Sequence, residues 1–364
     1  MSTVNTLANG THAAAPAATS ARLSLTSLQY LRGVAALLVV YFHSVLQLRN
    51  FGYADTLPLF GEAGVDLFFV LSGFLMWMTT SRSATTPWSF LRKRLIRILP
   101  LYWTLTLAAA AVALLAPQLL KSTKFEGAHF MASMLFVPHL NPGIGPGVVE
   151  GMRYSPVLVP GWTLNYEMFF YLVFALCLLT RPAIRLLLVP TAFALLALAG
   201  ATGQLGGGPI SFYGNSIILE FVFGMGVAVL MQRGTVIGAK LAWLAGLIAA
   251  GLLLMADLNH ASMRALTFGV PAAVVVYALC CAEIGSRFRE LPLLKLLGDA
   301  SYSIYLTHIF TLAACRVLFM RLFPGTAPNE LLFVVVALCA SSIVGVLTYR
   351  LYEKPAMLLL ERFK

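Results

Sequence analysis

Residues 27–48 read SLQYLRGVAALLVVYFHSVLQL, and the reading of this stretch decides the fold. It is apolar and long enough to cross a bilayer as one helix, for which about 20 residues suffice. Two ionisable residues interrupt it, Arg32 near its start and His43 well inside. At roughly 100° per residue, the eleven steps between them end within about 20° of three full turns. Both side chains therefore share one face, about 16 Å apart along the axis. An ionisable group inside a span is costly and is a functional candidate by default. A cation near one leaflet and an imidazole deeper in, on one face, describe a site that holds an anion at one end and does chemistry at the other. From this helix alone a plainer reading stands equal to it: Arg32 snorkels to the headgroups and His43 is a hydrogen-bonded core residue.

The rest of the chain has the same character. Of its 364 residues 59% are hydrophobic and 11% charged, against about 25% charged in an ordinary soluble chain. This excludes a soluble globular protein and predicts an all-α, polytopic membrane protein. Spans are expected at 28–48, 61–80, 98–117, 160–180, 186–203, 211–231, 241–256, 263–282, 298–320 and 330–352, about ten helices around a polar central cavity. The five cysteines (Cys177, Cys280, Cys281, Cys315, Cys339) fall in apolar runs without metal-ligand or disulfide spacing and read as small core residues. The net charge of +11 reflects topology rather than nucleic-acid binding. With the N-terminus inside, seventeen of the 25 basic residues fall on the inner side and seven on the outer, which places both termini in the cytoplasm.

Residues 1–24, rich in Ala, Thr and Ser, lack a basic segment leading directly into an apolar core. They read as a disordered cytoplasmic tail rather than a signal peptide. Residues 25–356 form the transmembrane domain and 357–364 a short cytoplasmic tail. The longest non-spanning segment, 118–159, is expected outside the membrane. It is rich in Pro and Gly from His139 to Gly151, and its apolar run His129–Val137 suits an interfacial or re-entrant helix. No internal repeat is visible, which weakens a transporter built from duplicated halves.

Several residues have the chemistry of a site. In Phe90–Pro100, FLRKRLIRILP, Arg94 and Arg97 are three apart and neighbour each other on a helix. Guanidinium forks match phosphate geometry, and Arg32 is expected at the same cytoplasmic entrance, so a phosphorylated cytosolic donor fits there. The plain alternative is an ordinary positive-inside cluster. Glu62 and Asp66 share a face near the outer end of the second span, where Ser72 and Gly73 allow close helix contact. Glu167, about two turns into the fourth span, is placed to orient or charge-balance His43, or only to fix packing. Glu220 is similar. Asp299 reads as the N-cap of the ninth span. Tyr302, Tyr305 and His308 follow at three-residue spacing as a polar stripe, read as lining or helix glue rather than catalysis. Pro355 is expected to stop the last span. There is no Gly-x-Ser-x-Gly elbow, no P-loop and no zinc-type His/Cys cluster, so no metal is expected.

Taken in order, Arg32 and His43 with ten residues between them, GVDLFFVLSGFLM (64–76), RKRLIRILPLYW (92–103), Trp162–Glu167, SYSIYLTHI (301–309) and YEKP (352–355) resemble the membrane-bound acyltransferase-3 family, particularly its exopolysaccharide O-acetyltransferase members. The resemblance covers about residues 25–356. It implies a multi-pass enzyme of the bacterial cytoplasmic membrane that takes an acyl group from cytoplasmic acetyl-CoA to a sugar hydroxyl of an exopolysaccharide or its lipid-linked precursor. Membrane lipid and the polysaccharide assembly machinery are the implied partners. Arg32, Arg94 and Arg97 carry over as the residues that hold the coenzyme A phosphates. His43 carries over as the base or transient acyl carrier, with Glu167, or else Asp66, as its orienting carboxylate. Some relatives carry a fused extracytoplasmic esterase-like domain, which this chain lacks. The competing expectation is a secondary transporter or exporter of a glycan or organic anion, with Glu167, Glu220 and His308 as a proton path.

Overall fold

The computed structural model describes residues 25–50, 57–116, 124–144, 153–256, 263–285, 290–323 and 329–362, and among these the regular structure is helical. The helices are α1 (Thr26–Asn50), α2 (Ala63–Thr80), α3 (Pro87–Leu115), α4 (Gly127–Met134), α5 (Trp162–Cys177), α6 (Pro182–Ala201), α7 (Pro209–Tyr213), α8 (Leu219–Gln232) and α9 (Ala239–Met255). They continue with α10 (Val270–Gly285), α11 (Pro292–Asp299), α12 (Ser301–Leu322), α13 (Glu330–Thr348) and α14 (Lys354–Arg362). Wide π-turns, Ala265–Gly269 and Tyr349–Glu353, lead into α10 and α14.

Among the described residues seven helical stretches are long and apolar enough to cross a membrane: α1, α2, α3, α6, α10 with its π-turn, α12, and α13 continued through α14. The sequence pattern predicts about ten. The difference lies in α5, α8 and α9, which have 16, 14 and 17 residues. At about 1.5 Å per residue they reach no more than about 26 Å, short of the roughly 30 Å hydrocarbon layer.

α2 is the centre of the bundle. It is apolar around most of its circumference, with Asp66 and Ser72 as buried polar exceptions, and 78% of its spanning window is buried, against 22% for peripheral α6. It meets α8 backbone to backbone. A Cβ on Gly73 would collide with the Phe221 carbonyl, and one on Gly224 with the Val70 carbonyl, so glycine permits the closest approach of the two helices. α1 begins with the backbone N–H groups of Thr26 and Ser27 donating to the Glu283 carboxylate of α10 at 2.8 and 2.9 Å. A carboxylate there satisfies two of the open donors of the helix end. The outer helices turn large apolar side chains outward, for example Leu187, Leu195, Leu247 and Leu347, the surface a lipid solvent requires.

Four local expectations are corrected. The third helix does not start at residue 98. Thr86 caps it, accepting from the Ser89 N–H, and Pro87 opens it, so the arginine-rich stretch is helical and continuous with the span. Asp299 ends α11 rather than capping α12, and its carboxylate accepts from Gln29 Nε2 at 2.5 Å. Pro355 does not stop the chain. The π-turn before it absorbs the missing N–H, and α14 continues to Arg362. Cys339 is exposed on α13, while Cys280, Cys281 and Cys315 are buried.

Beyond α3, helix α4 docks on that helix. Tyr102 Oη donates to the Ser133 carbonyl and Trp103 Nε1 to the Met134 carbonyl, both at 2.9 Å. The α4 end is closed by Phe136 in the left-handed region (φ 57°), with the Val137 N–H donating to the Ala132 carbonyl. A non-glycine residue held there is strained; stacking on Tyr102 at 4.6 Å holds it in place. The expected N-terminal tail (1–24) and residues 145–152 of the Pro/Gly-rich stretch lie outside the described residues.

Candidate functional site

The helix starts create a cation cluster. Arg32 lies in the second turn of α1, and Arg94 and Arg97 in the third turn of α3, where three-residue spacing puts them on one side. All three line one cavity of about 90 Å³, together with Ser72 of α2, Glu167 and Tyr171 of α5, and Ser301, Tyr302 and Tyr305 of α12. Arg94 lies over the rings of Phe90 and Tyr171, at 5.7 and 5.9 Å, a cation–π contact that holds the planar head without using its N–H donors. Among the described residues none of the three guanidiniums forms an ion pair or hydrogen bond, and Arg94 Nε is buried without a partner. Each guanidinium has five N–H donors in a fixed fork. A cavity so lined can take a phosphorylated anion in several charge-assisted hydrogen bonds.

Two carboxylates balance the cluster from opposite sides. Glu167 lines the cavity and lies within electrostatic reach of Arg97, Arg94 and Arg32. Glu353, in the π-turn before α14, is buried, accepts from Ser303 Oγ at 2.5 Å, and is within reach of Arg97 and Arg32. Three cations against two anions leave a net charge of one positive. Glu353 carried no role in the sequence reading. Its partners are 50 residues or more away along the chain, so no spacing rule points to it.

His43 is half-buried on α1, and its Nδ1 is 2.9 Å from the Val39 carbonyl one turn back. The neighbouring ring is His308 of α12, with centroids 4.8 Å apart and planes tilted by 56°. His308 is fully buried, with Nδ1 2.5 Å from the Tyr305 carbonyl and Nε2 without a hydrogen-bond partner. Tyr305 joins this pair to the arginine cavity. It lines the cavity, its ring is 6.0 Å from that of His308, and its hydroxyl donates to the Pro160 carbonyl at 3.0 Å and meets Thr163 Oγ1 at 2.9 Å. The stripe at 302, 305 and 308 is thus a continuous wall from cavity to imidazole pair, and His308 has a more intimate place than helix glue.

Asp66 is placed elsewhere. Both its carboxylate oxygens accept from Arg264, Nε at 2.8 Å and Nη2 at 2.7 Å, in a buried bidentate pair. Those bonds occupy the oxygens that would orient His43. Glu220 of α8 is fully buried within electrostatic reach of the same pair, and neither of its oxygens has a hydrogen-bond partner. The three residues tie α2, α8 and the π-turn of α10 together. Nothing in the sequence near Arg264 marks a partner 198 positions away.

A family model described as an acyltransferase domain matches residues 25–350. The exopolysaccharide production protein ExoZ of Rhizobium meliloti (strain 1021) is 35% identical over 305 residues, covering 82% of this chain and 90% of that protein. No solved structure matches the chain.

Proposed function

This chain belongs to the acyltransferase-3 family, and from that premise we propose that it transfers an acetyl group from acetyl-CoA to a sugar hydroxyl of an exopolysaccharide or its lipid-linked precursor. The observation that carries this reading is the convergence of three unpaired guanidiniums, Arg32, Arg94 and Arg97, on one cavity. Three partly buried cations against two carboxylates leave one positive charge and several open N–H donors, and the phosphates of coenzyme A supply the missing charge. Glu167 offsets the mutual repulsion of the arginines in the absence of donor. The thioester end of the donor extends past Tyr305 toward His43, which acts as general base on the acceptor hydroxyl. A neutral alcohol is a weak nucleophile and needs such a base. Exopolysaccharide as the acceptor rests on the name of the ExoZ relative.

The setting is the bacterial cytoplasmic membrane with both termini inside, supported by the excess of basic residues on that side. Donor then enters from the cytoplasm, and acceptor, delivered with the polysaccharide assembly machinery, from the opposite side. Transport of an unaltered solute is the weaker reading, because the family match is to acyl transfer. The test compares exopolysaccharide from cells with and without this chain by mass spectrometry. Acetyl esters present only with the chain support the reading. Identical glycans, together with movement of an unmodified solute by proteoliposomes, overturn it.

A further inference from the structure

The mechanism above leaves unused the buried imidazole that lies against His43, His308. Both imidazoles of the pair have Nδ1 against a backbone carbonyl, His43 on Val39 and His308 on Tyr305. A carbonyl oxygen only accepts, so in the neutral rings Nδ1 carries the proton and Nε2 carries the lone pair. Ring centroids 4.8 Å apart fall within the roughly 4.5–7 Å over which paired rings touch. The fully buried His308 Nε2 has no hydrogen-bond partner among the described residues, and an unsatisfied buried acceptor in a native fold calls for an explanation. Neither carboxylate expected beside His43 is assigned there: Glu167 sits with the arginines and Asp66 with Arg264. The positive charge that appears on His43 during the reaction therefore needs another stabiliser.

We propose that His308 is a positioning residue for His43, offering a neutral imidazole lone pair to the imidazolium formed when His43 takes the acceptor proton. The inference rests on the reading of His43 as base. In the step, the acceptor O–H bond breaks and its proton goes to His43. The freed oxygen bonds to the acetyl carbonyl carbon, and the thioester C–S bond breaks. The proton on His43 then passes to the leaving thiolate to give coenzyme A. His308 stays neutral throughout; with Nδ1–H of His43 held by Val39, the Nε2–H of the imidazolium is shared between the His308 lone pair and the leaving sulfur until it passes to sulfur, and His308 fixes the plane of the His43 ring.

The test replaces the lone pair while keeping the ring. Membranes carrying the full chain are supplied with acetyl-CoA and the lipid-linked glycan fraction of the same cells, and coenzyme A thiol release is followed. His308→Phe is expected to lower kcat about 10- to 100-fold, the usual size of a lost hydrogen bond to a charged group, with the acetyl-CoA KM unchanged. His308→Gln, whose side-chain oxygen still accepts, should recover part of that loss. A fully active Phe variant, or equal losses in Phe and Gln, overturns the inference, because packing alone then accounts for His308. If the Phe protein is absent from the membrane, His308→Ala with added imidazole replaces it: restored rate supports the inference and no restoration overturns it. His43→Ala runs in parallel. Full activity there removes the base itself, whereas an inactive His43→Ala beside an active His308→Phe removes only the partnership.

Discussion

The two ends of α2 each bury charge, and they do so in opposite ways. Toward its N-terminus, Asp66 and Arg264 satisfy each other in a bidentate pair with Glu220 close by. Toward the arginine end, three guanidiniums share a cavity with Glu167, none of them paired. Both arrangements are costly in a low-dielectric interior. The first recovers part of the cost through the Asp66–Arg264 bonds; the second leaves donors directed into space that a ligand can enter. An ionisable residue in a span is thus a functional candidate only after its partners are known.

The largest expected effect lies on the cavity side. His43→Ala should cut acetyl transfer by about 10²- to 10⁴-fold, the range of a general base, with the protein still present in the membrane. Quantifying acetyl esters on the glycan beside an immunoblot of the membranes checks this, and a wild-type ester level would remove His43 from the chemistry.

Next comes the paired end. Asp66→Ala strands Arg264 and should cost about 3–5 kcal/mol of stability, read as a lower unfolding midpoint of the detergent-solubilised protein. Normal stability with lost activity would erase the contrast, making Asp66 functional rather than structural.

Arg94→Ala and Arg97→Ala should behave in the reverse sense. Each should raise the half-saturating acetyl-CoA concentration about 10- to 100-fold, from loss of charge-assisted bonds, while the unfolding midpoint stays level or rises because an unpaired cation is gone. An unchanged dose response would assign these arginines to topology alone.

The smallest effect concerns α4, outside the spanning helices. His129 is buried beside His139. Burial first, and that neighbour second, push its imidazole from the ordinary 6.5 down to about 4, with Glu126 opposing. The folded state therefore binds fewer protons than the unfolded chain between these values. The stability His129 contributes is intact above pH 6.5 and is lost as pH falls toward about 4. Protection factors, which remove the intrinsic pH dependence of amide exchange, should be lower in 127–137 at pH 5 than at pH 7, while those of α2 stay the same. No difference in α4 would argue that the His129 site opens to water.

Hydropathy and basic-residue placement made the all-helical membrane class legible, and ten candidate spans were legible as segments. Their lengths were less so: α5, α8 and α9 have only 16, 14 and 17 residues, and α8 stops at a glycine cap, Gly234 with φ 72°, that hydropathy does not weigh. Arg94 and Arg97 could be paired from their three-residue spacing, which puts them on one helix face whatever surrounds them, and Arg32 joined them from the side of the membrane expected for it. The roles of Glu167, Asp66 and His308 were not readable in this way. A carboxylate or imidazole is recognised by what faces it across a helix interface, and that partner is anywhere from 50 positions away, as for Glu353 and Ser303, to 265, as for His43 and His308. Local periodicity determined which side chains point together along one helix. Only the packing of helices against each other decided which charges meet, which remain open, and therefore which end of the bundle can receive a ligand.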